Sequence, residues 1–253
     1  MKKALILYWH GLGDVIMLTP ILRHLHETRH DVHLMCRPEV TGCSLLKDCP
    51  YVSLFINVTN PWQSPLGFDR QRNINITTYK ELSLNYDWFA HCLHEQIVCG
   101  CKIETNWSEC GLVPDNRNHQ LEVFIPPETE KTAMKYIEDN YPDGYIFRHT
   151  DIEFHSTHDW DCEEWIKDNL PDLPIINTGF GGNYYCSDVD INFSFVLARE
   201  ADHRVLSSSV FVHACDAMNV PIDVINYGRP DHKVWPKDSN KVLRIRENGR
   251  WIR

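Results

Sequence analysis

The chain opens with short apolar runs separated by polar breaks. Ala4 to Trp9 is uninterrupted apolar, the pattern of a strand buried on both faces. His10-Gly11-Leu12-Gly13-Asp14 interrupts it as a turn, its two glycines giving the backbone freedom to turn sharply. Val15, Ile16, Leu18, Ile21, Leu22 and Leu25 then recur at helical spacing as far as Glu27. Pro20 falls in the second turn of this predicted helix, where it bends or tightens the start. Val32 to Cys36 reads as a second strand, closed by Arg37-Pro38. Strand, glycine turn, helix and strand form one βαβ unit, which requires a parallel sheet.

Tyr51 to Val58 is a further strand. Residues 59–78 are polar, proline-bearing and aperiodic, and predict a long loop of the kind that carries function. Residues 85–98 predict a helix under Trp88, Phe89, Leu93 and Ile97. Leu121 to Ile125, a strand or linker, ends at Pro126-Pro127. A second α/β series follows. Helices are predicted from Glu128, over 161–169, from Phe193 to Ala201 and from Val210 to Met218. Strands are predicted at Tyr145 to Arg148, Ile175-Ile176, Val205-Leu206, Ile222 to Asn226 and Lys241 to Ile245, with a glycine-rich loop over 179–192. The expected fold class is α/β, with two Rossmann-like domains over 1–127 and 128–253. Their parallel sheets would face each other across a cleft at the strand C-termini, where open α/β sheets bind ligands.

Composition narrows the classes. The chain has 253 residues, 43% hydrophobic and 24% charged, enough apolar material for one large core or two small ones. No window holds eighteen apolar residues, so no membrane-spanning helix is expected. The two lysines and short apolar run at the start lack a small-residue cleavage site and do not read as a signal peptide. With 25 Lys+Arg against 35 Asp+Glu, the net charge of −10 weighs against tight non-specific binding to nucleic acid. Ten cysteines without a secretory signal point to free thiols in a cytoplasmic protein. Cys92, Cys99, Cys101 and Cys110, with His91 and His94, form the densest group, but one Cys-x-Cys without a second tight pair favours plain thiols over zinc.

Four groups could carry chemistry. Asp14 in Gly11-x-Gly13-Asp14 suits a general base that takes a proton from a hydroxyl, and equally a helix N-cap. The local pattern is neither a complete dinucleotide fingerprint nor a phosphate loop. Ser207-Ser208-Ser209 precedes a helix carrying His213, four residues beyond Ser209, and offers hydroxyls and backbone N–H groups to a phosphate; a serine cap with a core histidine would look the same. His158-Asp159-Trp160-Asp161 with Trp165 reads by itself as packing; Asp188 and Asp190 have the alternate spacing of carboxylates that hold a metal or ribose hydroxyls, but read first as solvated loop charges.

Taken in order, these motifs resemble the heptosyltransferases of glycosyltransferase family 9. The opening signature of that family is a strand, Gly-Asp, and an apolar helix carrying Thr-Pro. It is matched by Leu12-Gly13-Asp14-Val15-Ile16-Met17-Leu18-Thr19-Pro20. The second signature, Lys-x-Trp-Pro with a further Trp, is matched in spacing by His158-x-Trp160-Asp161 and Trp165, with histidine for lysine and aspartate for proline. The third, Asp-Ser/Thr-Gly-x-x-His with a later proline, is matched by Ser208-Ser209-Val210-Phe211-Val212-His213 and by Pro221, eight residues after His213. Here serine replaces the aspartate and valine the glycine. Tyr227-Gly228-Arg229-Pro230 and Trp235-Pro236 resemble the closing stretch of the family.

The resemblance implies a GT-B fold and metal-independent transfer of a hexosyl or heptosyl group from a nucleotide-diphosphate sugar to an acceptor hydroxyl. It implies Asp14 as catalytic base, with Gly11 and Gly13 shaping the turn beside it. His158, Ser208, Ser209 and His213 would contact the donor, and no metal or cofactor beyond that donor substrate is expected. The acceptor would be of carbohydrate type, with 59–78 selecting it. Two other readings remain open: a nucleotide-binding module without catalysis, and a transferase acting on a hydroxylated base in DNA through a basic rim of Arg37, Arg70, Arg72 and Lys80.

Overall fold

In this computed structural model the described residues are 1–92, 102–113, 120–150, 162–178, 190–207 and 209–226, with backbone alone at 102–104 and 224–226. The chain divides into two units, Met1–Glu122 and Val123–Arg253.

The first unit is built on β1 (Lys2–Tyr8), buried from Ala4 onward as a continuous apolar run requires of a strand covered on both faces. It pairs in parallel with β2 (His30–Cys36) on one side and β4 (Trp88–His91) on the other, and β3 (Val52–Asn57) pairs with β2. The resulting order is β3-β2-β1-β4. Leu5, Leu7, Trp9, Met35, Val58 and Tyr79 form a core under one face of this sheet. Each such large side chain contributes about 1.5–3 kcal/mol on burial.

Several sequence expectations for this unit change. The predicted helix through Glu27 is two helices, α1 (Leu12–Ile16) and α2 (Thr19–Glu27), and Pro20 sits in the first turn of α2, where its missing N–H is harmless. Thr19 Oγ1 donates to the Ile16 carbonyl (2.7 Å) and accepts from Glu122 N (3.0 Å), so the residue at the break also ties down the end of the unit. Pro38, read as the close of β2, opens the short helix α3 (Pro38–Gly42).

The expected long loop at 59–78 is instead a 3-10 turn at Pro61–Gln63 and a long helix, α4 (Phe68–Ser83). Its buried positions are Gln71, Asn75, Tyr79 and Ser83, at strict four-residue spacing. That face is helical in period but mostly polar in chemistry, so a search for apolar periodicity passes over it. The helix expected at 85–98 begins as strand β4, and residues 93–98 lie outside the described residues. A four-residue apolar run cannot by itself distinguish helix from strand, and pairing with β1 decided the matter. Helix α5 (Lys102–Glu109) returns toward the sheet, with Thr105, Asn106 and Trp107 fully buried.

The second unit begins with α6 (Pro127–Asn140), opened by Pro at its first turn and acidic residues behind it. Its sheet is β5 (Ile146–His149), β6 (Ile175–Asn177), β7 (His203–Ser207) and β8 (Val224–Asn226), all parallel, in the order β6-β5-β7-β8. Helices α7 (Cys162–Asn169), α8 (Ile191–Glu200) and α9 (Val210–Met218) connect these strands. Ile146, Cys162, Ile166 and Val205 form a core, and Tyr145 is pinned to α8 by a hydrogen bond from its hydroxyl to Leu197 O (2.7 Å). Arg204 is buried and donates to four carbonyls, those of Ala198, Arg199, Ala201 and Pro221, three of them at the end of α8. A cation there satisfies orphan carbonyls and opposes the negative helix end. Residues 179–189 and the strand expected at Lys241 to Ile245 lie outside the described residues. No described helix is long and apolar enough to cross a membrane.

Candidate functional site

The described site residues fall into two groups, one in each unit. In the first unit, the order β3-β2-β1-β4 places β1 next to both its sequence successor and a strand reached later. Connections leave such a pair in opposite directions, which opens a crevice at the C-terminal ends of β1 and β4. Trp9, His10 and Gly11 emerge from β1 at this point.

Asp14 lies on α1, at the third helical position rather than at the N-cap expected from the pattern. Gly11 is the N-cap. Asp14 Oδ2 accepts a hydrogen bond from Gly11 N at 3.1 Å, the reach-back half of a capping box. Its backbone carbonyl accepts from the Tyr8 hydroxyl at 3.0 Å. The aspartate is therefore fixed at both backbone and carboxylate. Burial, and next the charge of Asp14, raise the Tyr8 phenol well above its ordinary value, so Tyr8 remains a donor at neutral pH.

Neither Gly11 nor Gly13 has a positive φ. Gly11 has ordinary extended backbone, φ −64° and ψ 167°. A Cβ on Gly11 would meet Asp14 Oδ2 at 3.4 Å, an ordinary van der Waals contact. The sharp turn expected from the two glycines thus does not rest on a positive φ at either of them.

The wall of this crevice includes residues that sequence reasoning passed over. His10, 5% exposed, stacks edge-on against Tyr8 (centroids 5.0 Å) and faces Trp62 at 6.1 Å. Histidine within an apolar stretch carries no signal of its own until the strand end is located. At the end of β4, the Cys92 and Cys110 sulfurs approach to 3.2 Å, and both residues are buried. Part of the cysteine group therefore does converge, although Cys99, Cys101 and His94 lie outside the described residues. Among the described residues no three His, Cys, Asp or Glu side chains cluster as metal ligands.

In the second unit, the order β6-β5-β7-β8 puts the corresponding crevice at the C-terminal ends of β5 and β7. Ser207 ends β7, and its Oγ donates to Thr150 O (3.0 Å), joining the two strand ends. Ser209 is the N-cap of α9, with extended backbone and no side-chain cap bond. Its Oγ is buried and has no hydrogen-bond partner among the described residues. An N-cap serine normally accepts from its own helix, so this hydroxyl is left to meet something else. His213 lies on the following turn of α9. Sequence reasoning missed His149 at the end of β5. Its ring stacks on Phe211 of α9 (4.6 Å), and its Nδ1 meets the carbonyl of Thr178 (2.7 Å).

Asp190 caps α8: its Oδ1 accepts from Asn192 N (3.0 Å) and its Oδ2 from the Thr129 hydroxyl (2.9 Å). It is a structural acid, where the sequence suggested a solvated loop charge. His158, Trp160, Asp161, Asp188, Ser208 and the 227–236 stretch lie outside the described residues. Arg37, one member of the suggested basic rim, is paired with Glu39 (3.3 Å).

Comparison with solved structures gives the fold a context. The chain is similar to a glycosyl transferase family 9 protein from Veillonella parvula, with a TM-score of 0.62 and 14% identity over 95% of this chain and 86% of that one. It is similar to the E. coli ADP-heptose lps heptosyltransferase II, with a TM-score of 0.53 and 12% identity over 99% and 93%. It is also similar to the E. coli heptosyltransferase WaaC with ADP-2-deoxy-2-fluoro heptose, with a TM-score of 0.50 and 13% identity over 95% and 92%. No family model and no curated protein matches the sequence. The α/β fold of the GT-B class, expected from the resemblance, is therefore the fold of this chain.

Proposed function

We propose that the chain is a glycosyltransferase that moves a sugar from a nucleotide-diphosphate sugar to an acceptor hydroxyl. The observation that carries this reading is the Asp14 carboxylate. It is held by Gly11 N, with the Asp14 backbone carbonyl held by the Tyr8 hydroxyl, at the switch-point crevice of a sheet whose fold is shared with heptosyltransferases.

In this reading Asp14 is the general base. It takes the proton from the acceptor hydroxyl as that oxygen attacks the anomeric carbon of the donor. The anomeric C–O bond to the diphosphate breaks, and the nucleoside diphosphate leaves with the electron pair. Ser209 Oγ, which lacks a partner among the described residues, and the N–H groups opening α9 are suited to the donor phosphates. His213, on the next turn of α9, assists them, as would Ser208, which precedes Ser209 in sequence. His158 would offset the charge growing on the leaving diphosphate, the kind of stabilisation that is often the largest single contribution to catalysis. These groups do the work of a metal, so transfer is proposed to need none. ADP-heptose, named with one of the similar structures and present as its 2-deoxy-2-fluoro analogue in another, is the first donor to try.

The test is calorimetry with ADP, UDP and GDP, followed by an assay of donor cleavage in the presence of chelator. Binding of one nucleoside diphosphate, and slow release of it from the matching sugar donor, is the expected result. Absence of binding to all three would remove the reading. Binding without any cleavage would leave a nucleotide-binding module.

A further inference from the structure

The 3-10 turn at Pro61–Gln63 is held more firmly than a surface connection requires. Asn60 is buried, and its Oδ1 accepts from Trp62 N at 3.1 Å. Asn75 of α4 donates to Thr59 O (2.8 Å), and Gln71 donates to Asn75 Oδ1 (2.9 Å). Ser64 in turn donates to Gln71 Oε1 (2.9 Å) and accepts from Leu66 N (3.2 Å). This ladder, with both amides buried on α4, clamps the turn on both shoulders. A satisfied buried polar network rigidifies the segment it holds.

The clamp presents one large side chain. Trp62 remains 47% exposed although the backbone beneath it is fixed. Its ring packs against Phe68 at 5.1 Å and His10 at 6.1 Å. Leaving half an indole in water forgoes part of its burial energy. A large aromatic held on a fixed backbone and left half exposed has the form of a binding anchor. Its position is also informative. His10 is followed directly by Gly11, whose N–H holds the Asp14 carboxylate.

We propose that Trp62 is the platform on which the acceptor saccharide stacks, with Phe68 and His10 setting the tilt of the indole. A pyranose ring has an apolar C–H face that fits an exposed indole, and a rim of hydroxyls from which Asp14 can take a proton. This rests on the glycosyl-transfer reading for the role of Asp14. The stacking itself requires only that unit 1 bind a sugar.

The experiment uses the full chain on a microarray of defined mono- and oligosaccharides, including hexoses, heptoses and amino sugars. Wild type, Trp62→Ala and Trp62→Phe are compared, with ADP affinity and thermal midpoint measured on each preparation. Trp62→Ala should lose about tenfold or more in binding to every saccharide captured by wild type, while Trp62→Phe stays within about threefold. Thermal midpoint and ADP affinity should stay unchanged in both. Undiminished binding by Trp62→Ala, equal loss in both variants, or no saccharide captured by wild type would each overturn the platform. Trp62-dependent saccharide binding in a protein that binds no nucleoside diphosphate would keep the platform and remove the transferase reading. Intact donor cleavage with a neutral Trp62 would do the reverse.

Discussion

The base role proposed for Asp14 can be tested apart from its capping role, because the two use different properties of the residue. Its Oδ2 accepts from Gly11 N at 3.1 Å, a bond that any side-chain oxygen in the same place can make. Its bond to Tyr8 uses the backbone carbonyl and ignores the side chain altogether. Asp14→Asn therefore keeps both of these anchors and loses the ability to take up a proton. The change in stability should stay within about 0.5 kcal/mol. Removal of a general base costs about 10²–10⁴-fold in rate, equivalent to about 2.7–5.5 kcal/mol of barrier. Asp14→Ala should lose transfer to the same degree and also forfeit the capping bond, about 0.5–2 kcal/mol. The assay is turnover of the donor that binds, with the best acceptor found, alongside denaturant unfolding of each variant. Turnover by Asp14→Asn within threefold of wild type would refute the base assignment. Activity losses that merely track the stability losses of the two variants would make Asp14 a scaffold residue only.

Two further outcomes test the frame around the sites. Arg204→Met strands four carbonyls that the guanidinium now satisfies, and should cost about 3–5 kcal/mol in unfolding free energy of the second unit; a change below about 1 kcal/mol by urea titration would show that water replaces the cation freely. Burial pushes the Cys36 and Cys215 thiols up to about 12 and holds the Tyr8, Tyr79 and Tyr145 phenols above their ordinary range. In the unfolded chain thiols ionise near ~8.5 and phenols near ~10, so above these values the unfolded state binds fewer protons than the folded one. Stability should be flat up to about pH 8.5 and fall progressively beyond it, and a flat profile by denaturant unfolding to pH 10.5 would contradict the burial of these groups.

Much of the architecture could be read from the order of residues, and the reason lies in where each signal originates. A strand covered on both faces must be apolar throughout, so Ala4 to Trp9 declared itself, as did Val205-Leu206. The helix at Val210–Met218 follows from small polar residues ahead of an apolar stretch, a local arrangement. The motif from Leu12 to Pro20 likewise singled out Asp14 without coordinates. Such features depend on the period of the chain and on capping chemistry, both of which act within a few residues.

Tertiary contacts decided the rest. The spine of α4, Gln71, Asn75, Tyr79 and Ser83, is buried because Thr59 and Ser64 lie beside it to satisfy its amides, and no rule based on hydrophobicity predicts a polar core face. Trp88 to His91 became a strand because β1 offered a free edge. Asp14 left the N-cap because Gly11 could take that place without a side chain, and His10, Trp62 and His149 gained meaning only when strand order showed which ends open on a crevice. Sequence sets what each segment prefers alone; which polar groups can be buried, and which rings meet, depends on partners that only the fold brings together, seven and sixteen residues away for the amides of α4 and more than fifty for His10 with Trp62 and His149 with Phe211.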